Sequence, residues 1–342
     1  MQNDRLAWVD CAKGIGITLV VYTHIQMGVL AAGLAPNSDI FAWVDYALFL
    51  THMPLFFFLS GLFVGRSIEK GSKHFLLSKI QTVVYPYFLW SFVQGAIQIT
   101  MAGSTNNVVH WGDLFVIAWK PFMQFWFLYA LFLAQLAALI LYRHKPLLIA
   151  LALLGYACRS VAPGILGDAC YQFPFFVIGM LLADRGALDW PVGTERRERW
   201  VTALLAVAFV AFTIGSGRIS GLDSIAWTSL PATLVAVALV LWIARALNGA
   251  VATALQELGR ASMTIYVLHT ICGSATRIAL LKLGVSSVPV LHLVAGTAVG
   301  LLGPLFVHHL LDRANLLPWV GLAMFKRSPR RHPPLASLSA GV

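Results

Sequence analysis

The stretch KGIGITLVVYTH, Lys13 to His24, decides the class of fold. Between its ends only Thr18, Tyr22 and Thr23 carry a polar side-chain atom, and the apolar run continues to Leu34. A run of roughly 20 such residues is long enough to span a bilayer as a helix. His24 then falls near mid-membrane, where an ionisable side chain is costly and calls for a purpose.

Working outward, the rest of the chain repeats the pattern. Of its 342 residues, 59% are hydrophobic and 11% charged, whereas soluble domains carry about 25% charged residues. The sequence therefore predicts an all-α, polytopic transmembrane helical bundle of about ten spans. They are read at 12–34, 41–65, 80–101, 122–142, 146–160, 170–183, 200–214, 225–244, 262–281 and 288–311. The start, MQNDRLAWVDCAK, does not read as a signal peptide, because the apolar run after Lys13 is too long and no small-residue cleavage site follows it. The first span is expected to be permanent.

The net charge of +10 does not point to nucleic acid. With both termini placed in the cytoplasm, 19 of the 24 Lys and Arg residues fall on the cytoplasmic side, as the positive-inside rule requires. Residues 1–311 read as one membrane domain and 312–342 as a basic cytoplasmic tail. The tail's KRSPRRHPP is expected to be disordered and able to rest on anionic lipid. Four cysteines are too few for a disulfide framework. Cys158 and Cys170 flank one outer loop, and free thiols are expected there in preference to a pair. No two similar halves of the kind found in many transporters are visible.

Spacing places the chemistry. Lys13 and His24 are eleven residues apart, three turns plus about 20°, so they share a helix face about 16 Å apart in height. A cation at the cytoplasmic mouth and an imidazole near the midplane would line a path between them. The plainer reading makes Lys13 an interfacial anchor and His24 a partner for a neighbouring helix. In THMPLFFFLSG, Thr51 to Gly61, His52 reaches a similar depth on the antiparallel second span. Pro54 removes a helical N–H and frees the Leu50 carbonyl; His52 either joins His24 at a cavity or satisfies that carbonyl. In LGRASMTIYVLHT, Arg260 and His269 stand on opposite faces of the ninth span, and for His269 chemistry and packing are both open. Trp126 is expected in an outer aromatic belt, and His292, His308 and His309 at solvated span ends.

There is no GxxxxGK[ST] loop, no HExxH and no CxxC, so ATP hydrolysis, zinc proteolysis and dithiol chemistry have no support and no metal is expected. Apart from Asp45, the acids lie almost entirely in loops or at span ends. This weighs against a transporter or flippase with a path lined by His24, His52 and His269, which is the main rival reading. A non-catalytic membrane sensor or scaffold is the other.

Four stretches, taken in order, resemble the acyltransferase 3 family of the fucose O-acetylase-like kind. They are RLAWVDCAKGIGI with Lys13-x10-His24, HMPLFFFLSGLF, YPYFLW followed by FWFLYAL, and LGRASMTIYVLH. They extend from residue 5 to about 270. Near YPY this chain has Gln81 and Thr82, where members often carry a basic residue. The resemblance implies transfer of an acyl group, usually acetyl, from cytoplasmic acetyl-CoA or another acyl-CoA to a hydroxyl of an outward-facing carbohydrate or glycolipid. The setting it implies is a bacterial inner membrane. It assigns Lys13 and Arg260 to the CoA phosphates, His24 to general-base or acyl-carrier duty, and His52 to orienting His24 or stabilising an oxyanion. The acceptor and the oligomeric state are not legible.

Overall fold

The computed structural model describes residues 4–36, 38–101, 109–186 and 193–325. KRSPRRHPP of the tail lies outside them. Among the described residues there is no strand, and fourteen α-helices follow one another. The first half comprises α1 (Asp4–Ala31), α2 (Asp39–Gly61), the short helices α3 (Val64–Glu69) and α4 (Ser72–Lys79), α5 (Tyr85–Thr100), α6 (Trp111–Phe115) and α7 (Trp126–Leu141). The second half comprises α8 (Lys145–Cys158), α9 (Ile165–Asp184), α10 (Glu195–Ser220), α11 (Leu230–Ala246), α12 (Gly249–Arg260), α13 (Ser262–Lys282) and α14 (Pro289–Arg313).

Among the described residues, eight helical segments are long and apolar enough to cross a membrane. Of the ten expected spans, α5 and α8 are the two that fall short of that length. The limits of α9 and α10 lie several residues outside the sequence-expected 170–183 and 200–214, because Asp168, Glu195 and Arg218 are accommodated within the helices. The protein is an integral membrane protein. Leu204, Val207, Val210 and Phe212 of α10 are exposed, which is tolerable only against lipid.

Prolines set several boundaries. Pro146, Pro231 and Pro289 lie in the first turns of α8, α11 and α14, where the missing N–H has no intrahelical partner to lose; Pro86 opens α5 but follows directly on helical backbone. Before Pro86 the chain winds as a π-helix over Ile80–Val84, a local widening common beside functional sites. Pro54 lies within an unbroken α2. His52 does not serve the carbonyl that Pro54 frees, since its Nδ1 bonds the Leu48 carbonyl instead.

Packing centres on α1, which touches α2, α11, α12, α13 and α14. Two crossings are backbone to backbone. A Cβ on Gly14 would lie 1.9 Å from the Leu255 carbonyl oxygen, and one on Gly259 would lie 1.8 Å from that of Asp10, so α1 and α12 meet without intervening side chains. Gly61 and Gly179 allow the same between α2 and α9, with corresponding distances of 2.1 and 2.2 Å to Phe176 O and Phe58 O. Small residues at helix contacts let dispersion operate over a long seam, which is how helices cohere when lipid removes most of the hydrophobic drive.

After α14 the chain folds back onto α5. Tyr85 donates its hydroxyl hydrogen to Trp319 O at 2.6 Å, and Trp90 donates Nε1–H to Val320 O at 3.0 Å. YPYFLW is thus the seat for residues 314–325.

Candidate active site

Two cavities lie one beyond the other along α1. The first, of about 170 Å³, is lined by Lys13, Ile17 and Val20 of α1 together with Ser60, Thr82 and Ser262. The second, of about 560 Å³, is lined by His24, His52, Gln94, Gln98, Gln124 and Thr270, with Trp126, Arg277 and His292 further round its wall. Met53 lines both. The face shared by Lys13 and His24 is therefore real, but a wall interrupts it.

That wall is tied to the chemistry on either side. Val20 faces the smaller cavity while its carbonyl accepts a hydrogen bond from His24 Nδ1 at 2.9 Å. Tyr266 also faces the smaller cavity, and its hydroxyl donates to the Gln124 carbonyl. The Tyr266 carbonyl accepts from His269 Nδ1 at 2.8 Å. Tyr266 is packed edge-on against Phe127, with ring centroids 5.6 Å apart.

A carbonyl oxygen can only accept, so each of these imidazoles carries its hydrogen on Nδ1. His24 gives it to Val20, His52 to Leu48, and His269 to Ile265 and Tyr266. In all three the Nε2 lone pair is left, and His269 Nε2 is buried without a hydrogen-bond partner among the described residues. The carbonyl one turn back fixes each tautomer. His269, 0% exposed, sits edge-on to His24 with ring centroids 4.9 Å apart. Arg260 and His269 do not share a helix, since α12 ends at Arg260 and α13 begins at Ser262; His269 faces α1.

The polar ceiling of the larger cavity is a closed circuit of amides. Gln124 Nε2 donates to Gln94 Oε1 at 2.6 Å and to Thr270 Oγ1 at 3.2 Å, Gln94 Nε2 donates to Gln124 Oε1 at 3.2 Å, and Thr270 Oγ1 donates to Gln94 Oε1 at 3.0 Å. Gln98 Nε2 reaches Met123 Sδ at 3.1 Å. Met123 itself has φ of 43°, a left-handed conformation that costs a methionine energy and concentrates at functional sites. The sequence signal for this circuit was present but unused: glutamines within spans must find partners.

Lys13 pairs with Asp10 at 3.2 Å. Arg260 ends α12, is paired with Glu257 at 3.5 Å, and is not among the residues lining the smaller cavity. It does follow Gly259, which abuts Asp10, so both cations stand at the same α1–α12 crossing. Trp126 lines the larger cavity instead of standing in an outer belt. His292 is not solvated: it is 2% exposed, lines that cavity, and donates Nε2–H to Val285 O at 2.7 Å. His308 bonds Thr264 at 2.7 Å, while His309 is exposed. Cys158 and Cys170 are both free thiols. Among the described residues no group of three or more His, Cys, Asp or Glu side chains could hold a metal ion.

The family comparison decides what this pair of cavities belongs to, because the acyltransferase domain of the acyltransferase 3 family matches residues 6–309. The chain belongs to that family. No curated protein and no solved structure matches it. Within this acyltransferase, the matched region takes in both cavities, the wall between them and all three Nδ1-tethered histidines.

Proposed function

We propose that this acyltransferase moves an acyl group, most simply acetyl, from cytoplasmic acyl-CoA to a hydroxyl of an extracytoplasmic or membrane-linked carbohydrate. It would do so as a ten-span protein of the bacterial inner membrane with both termini inside. The observation that carries this reading is the arrangement of two cavities end to end, with Lys13 at the smaller one and His24 at the larger.

The smaller cavity is too narrow for a nucleotide, so the phosphate-bearing part of the donor stays at the α1–α12 crossing, where Lys13 and Arg260 attract polyanions. Thr82, which stands where other members often have a basic residue, contributes a hydroxyl to this cavity. The acyl end is directed toward Met53.

At His24 the acceptor oxygen attacks the thioester carbonyl carbon and its proton passes to Nε2. The carbon–sulfur bond then breaks and the sulfur takes that proton, leaving an ester and free CoA thiol. In the variant with an acyl carrier, Nε2 attacks the thioester carbonyl carbon and the carbon–sulfur bond breaks to release CoA thiolate; the acceptor oxygen then attacks the acyl carbon, the carbon–nitrogen bond breaks to restore Nε2, and the hydroxyl proton goes to the thiolate. Either route needs the lone pair that the Val20 hydrogen bond leaves on Nε2. His52, with its hydrogen also committed, accepts and does not donate while neutral. It therefore suits orienting the acceptor hydroxyl, and the carboxamides of Gln94, Gln98 and Gln124 are better placed by chemistry to meet an oxyanion.

The test is acetyl-CoA binding to purified, folded protein by calorimetry, with CoA lacking its 3′-phosphate for comparison. Binding weakened by loss of that phosphate supports the donor site. No binding at millimolar donor removes it and returns the flippase reading. His24→Ala in protein of unchanged thermal stability should lose at least about 100-fold in acyl transfer; retained turnover would sink the assignment.

A further inference from the structure

Arg277 stands in the wall of the larger cavity and is 8% exposed. Its NH1 donates to the Gly28 carbonyl at 2.6 Å. A carbonyl dipole does not neutralise a buried guanidinium, and such a charge normally has a carboxylate. Arg277 has none: the ion pairs among the described residues are Lys13–Asp10, Lys145–Asp184 and Arg260–Glu257. Nor does any Asp or Glu line the cavity.

The second buried arginine shows what a purely structural one looks like here. Arg159 lies against Tyr156 and Trp227, at 4.3 and 4.5 Å from their ring centroids, and donates to Ile225 O and Tyr156 O. It has two aromatic rings and two carbonyl acceptors, and it lines neither cavity. Arg277 has one carbonyl and an open cavity.

The position is informative as well. Gly28 lies one helical turn beyond His24, about 6 Å further along α1. A group bound at Arg277 is thus within the span of a sugar ring or two from Nε2 of His24. Gln94, Gln98, Thr270 and Ser274 line the space between with hydrogen-bonding groups. A planar guanidinium favours a carboxylate or phosphate through paired N–H···O contacts.

We propose that Arg277 is an anion site for the acceptor, so that the hydroxyl acylated at His24 belongs to a carbohydrate bearing a carboxylate or phosphate on the same or the adjoining sugar. This rests on the acyl-transfer reading for what the bound carbohydrate is used for, but the site itself is read by binding alone.

The experiment titrates full-length protein in lipid nanodiscs with methyl glucuronoside, glucose 6-phosphate and methyl glucoside, followed by saturation-transfer NMR. At least one anionic sugar should bind about tenfold or more tightly than the neutral one, and the two anionic arms tell carboxylate from phosphate. Arg277→Gln keeps a hydrogen-bond donor for Gly28 but removes the charge; it should bring all three sugars to within about threefold of one another. Arg277→Lys should keep a preference for the anion. Equal binding of the three sugars by the native protein, no binding of any, or an anion preference that survives Arg277→Gln would each overturn the proposal. Acetyl-CoA calorimetry on the same preparation separates the two readings. An Arg277-dependent anion preference without CoA binding leaves this site standing and removes acyl transfer from acetyl-CoA, and the converse result does the reverse.

Discussion

Gly14 and Gly259 each meet the backbone of the opposite helix at the α1–α12 crossing, about one turn apart, and this reciprocity gives a quantitative expectation. An added Cβ would lie 1.9 Å from Leu255 O in the first case and 1.8 Å from Asp10 O in the second. A carbon sits comfortably about 3.3 Å from a carbonyl oxygen, so either methyl forces the helices apart by roughly 1.5 Å. Overpacking of this kind costs about 1–3 kcal/mol, offset by up to about 1 kcal/mol from replacing glycine inside a helix. Each of Gly14→Ala and Gly259→Ala should therefore destabilise by about 1–2 kcal/mol. One separation relieves both clashes, so the double variant should lose little more than either single one, with a coupling of at least about 1 kcal/mol. Denaturant unfolding of the four proteins in one detergent measures this cycle. Additive losses would refute the picture of two clashes relieved by one separation of the helices. Acetyl-CoA affinity in the singles should fall with the displacement, because Lys13 and Arg260 ride on the two helices being moved.

Three further expectations follow from particular contacts. His269→Phe keeps a ring against His24 but deletes both nitrogens; stability should change by less than about 1.5 kcal/mol, while turnover falls at least tenfold if the neighbouring imidazole takes part. Turnover unchanged would make His269 a packing residue. Thr270→Val removes a hydroxyl that both accepts from Gln124 and donates to Gln94, and should cost about 1–3 kcal/mol by stranding buried amide groups, read by thermal unfolding. Tyr85→Phe combined with Trp90→Phe removes two hydrogen bonds to the segment after α14. Limited proteolysis should then cut within 314–325 faster, by about 30-fold for about 1 kcal/mol per bond lost; an unchanged rate would mean that apolar contacts alone hold the segment.

Depth and periodicity made much of this legible in the sequence. Hydropathy predicted the helical bundle, the eleven-residue interval put Lys13 and His24 on one face, and equal depth on antiparallel spans put His52 beside the same cavity. What could not be read is which helices touch. His269 was judged against Arg260 on its own span, when the residue that matters is on α1. Trp126 and His292 read as interfacial because each lies near a span end, but both line the second cavity. α12 was hidden because it is a twelve-residue amphipathic helix too short and too polar to register as a span. Arg277 entered only as one of the few outer basic residues, since its missing counter-ion is a property of the fold.

Met53 has a consequence beyond the reaction. A membrane protein with two cavities set end to end risks becoming a leak for ions, and cells tolerate few of those. Here the two cavities share one thioether in their partition, together with Val20 and Tyr266. A methionine is unbranched and flexible, so the residue common to both cavities is also the softest part of the barrier between them. In the acyl transfer proposed above, the tightness of that barrier and the passage of a small acyl group would both depend on Met53.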